Sequence, residues 1–223
     1  MSFGRSTAIR RPPIAGINAL AAAETRRGRN LVNLGQAVLG LPPPEQALAR
    51  VRGYLADTAV HVYAPDPGLP EVREGVATWL RDDKGVAGAT ADEVMLTCGA
   101  NQAFVNALLT LTRPGDEVIT FGPGYFDHDF AIRLADCVNV EVPLTVTGPP
   151  DRPTGFAFDA RRAAAAITGR TRVVVLVSPG NPTGCVIDDD QREALAQLCR
   201  DQGIWLISDE TYDRLTFAPA RHT

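Results

Sequence analysis

The chain has 223 residues, 45% of them apolar, enough to bury a substantial core as one large domain or two small ones. A net charge of −4 and a pI near 5.4 run against a general nucleic-acid or acidic-membrane surface, which needs a basic excess. No apolar run approaches the roughly 20 residues of a membrane span. Cys98, Cys137, Cys185 and Cys199 are scattered without metal-ligand spacing, so no metal is expected and they read as reduced, mostly buried thiols of a cytoplasmic protein.

In chain order, residues 1–13 are rich in Arg and Pro and read as an irregular arm. Arg10-Arg11 ahead of the apolar stretch 14–23 loosely follows a twin-arginine export signal, but Pro12-Pro13 and Asn18 break the pattern, and an arm or leading helix is the reading kept. Residues 14–27 are Ala-rich and helical up to Gly28, and 31–34 are extended. Gly35 to Pro44 form a proline-stiffened connection. Pro44 opens a helix to Leu55 with Ala47, Leu48, Val51 and Leu55 on one stripe. Residues 62–70 are a turn-rich loop and 71–82 a helix.

From Glu93 the period becomes strand, loop, helix. Strands are expected at 94–97, 118–121 and 138–142, and helices at 102–111, 126–135 and 160–167, with 145–155 a polar surface loop. Residues 173–177 are a continuous apolar, mostly β-branched run, the pattern of a strand buried on both faces, halted by Ser178-Pro179-Gly180-Asn181-Pro182. Asp188, Asp189 and Asp190 supply cap and first-turn acids for a helix with Leu195, Ala196, Leu198 and Cys199 on one face, and Gly203 sits where a terminating glycine belongs. Residues 204–207 are the next strand. The alternation implies an α/β fold with a mostly parallel sheet and helices on both faces. A right-handed crossover between the last two strands then turns Asn181 and Asp209 toward one site at their carboxyl ends.

Several strand ends carry useful chemistry, and each has a plainer alternative. Gly99-Ala100-Asn101 leads into a helix start with side chains small enough for a phosphate to reach free amides, or is simply a small-residue turn. Tyr125 offers an aromatic face, or packing. Asn181, fixed between Pro-Gly and Pro, aims an amide or closes a turn. Asp209 and Tyr212 put a carboxylate and a phenol on one side of a turn, or Asp209 caps a helix.

The motifs Asn33-Leu-Gly-Gln36, Tyr63-x-x-x-x-Gly68-Leu69-x-x-x-Arg73, Thr97-x-Gly99-Ala-Asn-Gln102, Pro123-Gly-Tyr125, Ser178-Pro-Gly-Asn-Pro-Thr-Gly184 and Ser208-Asp-Glu-Thr-Tyr212 occur in one order over residues 30–217. In these the chain resembles the first part of the pyridoxal-phosphate-dependent aminotransferases of class I/II, fold type I. The wording from Gly99 is also similar to members that use aromatic amino acids or methionine. The resemblance implies a three-layer α/β/α large domain, C-terminally truncated, over 61–223, with an N-terminal arm and small-domain portion at 1–60. It also implies pyridoxal 5'-phosphate as cofactor, amino acid and 2-oxo acid substrates, and a homodimer. Asp209 would pair with the pyridine nitrogen, so that the ring acts as an electron sink. Asn181 and Tyr212 would bond the ring 3-oxygen, Tyr125 would stack on the ring, and the turn Gly99, Ala100 and Asn101 would hold the phosphate. Tyr63 would reach the neighbouring subunit's phosphate and Gly35 would lie by the substrate carboxylate, although the family's Gly-x-Pro-Asp wording after Gly35 is replaced here.

The family's chemistry needs a lysine amine as Schiff-base carrier and proton shuttle. The one lysine is Lys84, in a charged helix end expected to be solvated. The family's lysine, phosphate arginine and small domain follow the Asp-x-x-Tyr segment at positions beyond Thr223. The expectation is therefore a chain with no catalytic lysine of its own, which binds the cofactor poorly and is marginally stable. Two family strands that follow Asp209 would be the partners of strand 94–97. The alternatives are a lyase or synthase of the same fold, or a non-catalytic binding or dimerising remnant.

Overall fold

A computed structural model of the chain describes residues 13–35, 39–152 and 154–217. The expected arm, except its last residue, lies outside these, as does Gln36 of the first motif. The chain divides into two compact units, residues 11–78 with 90–95, and residues 79–89 with those from 96 onward.

The first unit carries α1 (Pro13–Arg26), α2 (Glu45–Ala56) and most of α3 (Pro70–Lys84), whose last residues belong to the second. Amphipathic patterning produced α2 without giving it a core: Val51 and Leu55 of its stripe remain 54% and 66% exposed. Arg73, from the motif around Gly68, ties α3 to the turn after Thr90. Its Nε donates to the Val94 carbonyl at 2.9 Å, and its Nη2 donates to the Ala91 carbonyl and pairs with Asp92 at 3.2 Å. The expected strand at 94–97 does not form, because among the described residues no strand lies beside it to supply ladder hydrogen bonds.

The second unit is built on a parallel sheet in the order β2–β1–β5–β6, from β1 (Glu117–Gly122), β2 (Val138–Pro143), β5 (Thr171–Val177) and β6 (Trp205–Asp209). The β-branched run in β5 does what its pattern predicts. Val173 and Val175 face a core with Phe104 and Leu108 of α4 (Ala100–Leu111) and Ala131 and Ile132 of α5 (Phe126–Leu134). Val174 and Leu176 face the opposite core with Ala163 of α6 (Ala160–Ala166) and Leu195 and Cys199 of α7 (Asp189–Gln202). This is the three-layer arrangement. The helix α7 begins where the Asp188 carboxylate accepts from Gln191 N–H at 2.8 Å and ends at Gly203, whose φ of +64° is left-handed.

Three expectations are corrected here. The supposed surface loop at 145–155 contributes to a hairpin of β3 (Thr145–Thr147) and β4 (Gly155–Ala157), whose three residue pairs, centred on Val146 and Phe156, are too short an alternation to read from sequence. Of the four cysteines, all free, only Cys137 and Cys199 are buried, while Cys185 is half-buried and Cys98 exposed. Burial pushes the Cys199 thiol up to about 11. Lys84 is not solvated: its side chain is 10% exposed, with Nζ 3.1 Å from Glu210 and 3.2 Å from Asp213.

At the amino-terminal rim of the sheet Glu117 is buried. Its carboxylate accepts from the Thr168 hydroxyl at 2.5 Å and from Arg170 Nε at 3.0 Å. These donors hold its carboxyl below the ordinary glutamate value, outweighing burial. Among the described residues no helix is long and apolar enough to cross a membrane.

Candidate functional site

From β1 the chain steps outward to β2, then returns past β1 to β5 and β6, so the sheet order reverses beside β1. Open α/β sheets form their ligand crevice outside the strand carboxyl ends at such a reversal. A cavity of about 230 Å³ lies there, lined by Gly99, Ala100, Asn101, Tyr125, Asn181, Asp209 and Tyr212, together with Cys98, Val177 and Thr211. Seven residues singled out in the sequence thus meet at one place. A larger cavity of about 420 Å³ shares Tyr125, Val177 and Asn181 with it. The smaller one holds the helix start and the Asp209 carboxylate, so the chemistry converges there.

Each group is held by its local chain. Gly99 precedes α4 with a φ of +81°, a conformation that a side chain resists, and nothing lies within 4 Å of where its Cβ would stand. The first turn of α4 therefore offers amide donors and the positive end of the helix dipole to an anion. Asn101 Nδ2 donates to Asp127 Oδ2 at 2.9 Å, and the Tyr125 hydroxyl donates to the same oxygen at 2.8 Å. Burial, and then the Asp127 carboxylate, push the Tyr125 phenol up, partly offset by Asn101. The loop carrying Asn181 closes on itself through Gly184 N–H to the Gly180 carbonyl at 2.7 Å and Gly180 N–H to the Cys185 carbonyl at 2.8 Å. Ile187 N–H anchors that loop to the buried Ser178 hydroxyl at 3.2 Å. Asn181 Nδ2 reaches the Tyr212 hydroxyl at 3.5 Å.

Asp209 is the electrostatic centre. Burial raises its carboxyl, but hydrogen bonds from His128 and from the Thr211 hydroxyl and amide outweigh this and hold it below the ordinary aspartate value. Oδ2 lies 3.1 Å from His128 Nε2, and Oδ1 accepts from the Thr211 hydroxyl at 2.7 Å and its N–H at 3.1 Å. The carboxylate stays ionised and suits a cationic ring nitrogen. His128, buried with its ring 4.2 Å from that of Phe104, was missed by sequence reasoning, as were Asp127 and Thr211. Only the three-residue step from Tyr125 to His128 at a helix start could have signalled that the two side chains share a face.

Gly35 and Tyr63 belong to the first unit and are not among the cavity's lining residues. Gly35 N–H donates to Asn33 Oδ1 at 2.9 Å, and Tyr63 is fully exposed.

Residues 29–223 match the family described as aminotransferase class I and II. The chain is 35% identical to the aromatic aminotransferase ISS1 of Arabidopsis thaliana, over 99% of this chain and 55% of that protein. It is 36% identical to the aspartate/prephenate aminotransferase of Thermus thermophilus, over 96% of this chain and 53% of that protein. The solved N-succinyldiaminopimelate aminotransferase of Mycobacterium tuberculosis superposes with a TM-score of 0.88 at 34% identity, over 100% of this chain and 55% of that one. The chain therefore spans about half the length of the relatives it matches.

Proposed function

The chain belongs to the class I and II aminotransferase family, and from that membership and the cavity's geometry we propose that it binds pyridoxal 5'-phosphate and serves amino transfer between an amino acid and a 2-oxo acid. The observation carrying this is the single cavity in which a helix start, an aromatic ring, an amide–phenol pair and an ionised carboxylate converge. That donor set fits the cofactor. The α4 amides at Gly99, Ala100 and Asn101 would hold its phosphate, Tyr125 its ring face, Asn181 and Tyr212 its 3-oxygen, and Asp209 its protonated nitrogen. When bound, the cofactor supplies an electron sink for charge developing at a substrate α-carbon. The chain's own residues orient it: His128 and Thr211 keep Asp209 ionised, and Asp127 fixes Tyr125 against Asn101.

No second amine is available within these residues, since the one lysine is engaged by Glu210 and Asp213. We therefore place the proton-shuttling amine outside the 223 residues and read this chain by itself as a weak, non-covalent cofactor binder. The second reading, a binding or dimerising module completed by another polypeptide, rests on the same observation. In the whole protein we propose a cytoplasmic homodimer, with Tyr63 reaching the neighbouring subunit's phosphate, Gly35 near the substrate carboxylate, an arm and small-domain portion at 1–60 and the cofactor-binding domain from residue 61. Titration of the chain with pyridoxamine 5'-phosphate, followed through the ligand's phosphorus resonance, tests the binding site. Saturable broadening that Asp209→Ala and Asn181→Ala each weaken is expected. Broadening indifferent to both substitutions would refute it.

A further inference from the structure

The turn that carries Asp209 and Tyr212 is flanked by two other acids, and both face one cation. Lys84, at the end of α3, places Nζ 3.1 Å from Glu210 Oε2 and 3.2 Å from Asp213 Oδ2, with its side chain 10% exposed and Asp213's 16%. The same ammonium lies 5.6 Å from the centre of the Trp79 ring, and the Arg214 guanidinium lies 5.8 Å from that centre. Arg214 also pairs with Asp83 at 3.4 Å and with Asp213 at 3.6 Å. The last turn of α3 and the chain just after β6 are thus joined by two cations, an indole and three carboxylates. Glu210 is the residue after Asp209 and Asp213 the residue after Tyr212, so the lysine faces the immediate neighbour of each member of the pair that lines the cavity.

We infer that Lys84 is a positioning residue, clamping the turn 210–213 so that Asp209 and Tyr212 are presented together to the ligand. The positioning half of this rests on the reading of the cavity as a pyridoxal-phosphate site. The clamp matters because most other bonds of the turn are local: the Thr211 hydroxyl and N–H donate to Asp209 Oδ1 at 2.7 and 3.1 Å, and the Ser208 hydroxyl donates to Glu210 Oε1 at 2.9 Å. Its own backbone bonds are Asp213 N–H to the Glu210 carbonyl at 3.0 Å and Leu215 N–H to the Tyr212 carbonyl at 2.8 Å, and Tyr212 meets Asn181 only at 3.5 Å. Losing the partly buried ammonium would remove the cation that faces both acids, leaving Asp213 to Arg214 at 3.6 Å and Glu210 to the Ser208 hydroxyl at 2.9 Å. The ammonium donates a hydrogen bond to Glu210 and faces Asp213 Oδ2 as a point charge, without a hydrogen bond to it. The same contacts occupy the one lysine of the chain: two carboxylates and an indole face take up its ammonium.

Three variants of the full chain test the clamp: Lys84→Met, the pair Glu210→Gln with Asp213→Asn, and all three together. The readouts are amide hydrogen exchange at Asp213 and Leu215, the thermal midpoint, and affinity for pyridoxamine 5'-phosphate. Lys84→Met is expected to speed exchange at these two amides and weaken affinity by about tenfold each, the scale of one lost charge-assisted contact, while amides in β5 keep their rates. The triple variant carries no buried unpaired charge and is expected to regain the thermal midpoint, with exchange still fast and affinity still weak. Recovery of the unmodified chain's exchange rates and affinity along with the midpoint would overturn the inference, because Lys84 would then only be neutralising two acids. Wild-type rates in Lys84→Met would overturn it as well. If the unmodified chain fails to bind the probe, the cofactor reading falls and the exchange rates alone decide the clamp.

Discussion

Asp209 accepts from an imidazole on one oxygen and from a hydroxyl and an amide on the other, and this crowd of donors keeps a half-buried carboxyl charged. Of these donors His128 contributes most to the lowering. Replacing it with leucine is therefore expected to move the Asp209 carboxyl upward, toward its ordinary value, since burial then acts with less opposition. Carbon-13 titration of the Asp209 carboxyl in His128→Leu measures this, and His128→Gln, which keeps a donor, is expected to shift it less. Asp209, Asn181 and Tyr212 were singled out because strand ends and turn residues mark them within short segments. His128 was not, because its role comes from burial against Phe104 of another helix, a contact no local pattern encodes.

The helix α7 was readable nearly to the residue because its signals are local. An aspartate caps it, acids fill its first turn, one face carries the apolar side chains, and a left-handed glycine ends it. Its energetics separate along the same lines. Asp188→Ala is expected to cost about 1 kcal/mol through the lost cap, and Leu195→Ala, at a position 0% exposed, about 2–5 kcal/mol through the cavity left in the core. Urea denaturation of the two variants checks the contrast. The segment 94–97 shows the opposite case. Its composition is that of a strand, yet pairing is a property of neighbours, and none lies beside it. The stripe on α2 likewise specified a helix and left open what would cover it.

Across the whole molecule, stability in acid depends on carboxyls held below their ordinary values. Asp209 and Glu117 both have lowered folded-state values, against ordinary ones of 3.8 and 4.5. Each therefore stabilises the fold fully above its ordinary value, and that contribution is lost as pH falls through the lowered one. The thermal midpoint is expected to be level near neutrality with respect to these groups and to fall below about pH 4.5, with Glu117→Gln lowering the neutral plateau and flattening the acid limb. The two carboxyls stand at opposite ends of the parallel strands, Glu117 where β1 begins and Asp209 where β6 ends. With strands rising about 3.3 Å per residue, the six-residue β1 keeps the Glu117 lock well apart from the cavity-lining groups, and distant changes add. Scaffold strength and cavity chemistry are then separately adjustable in this protein: an engineer can reinforce the bonds among Glu117, Thr168 and Arg170 to harden the scaffold and leave the cavity-lining rim untouched.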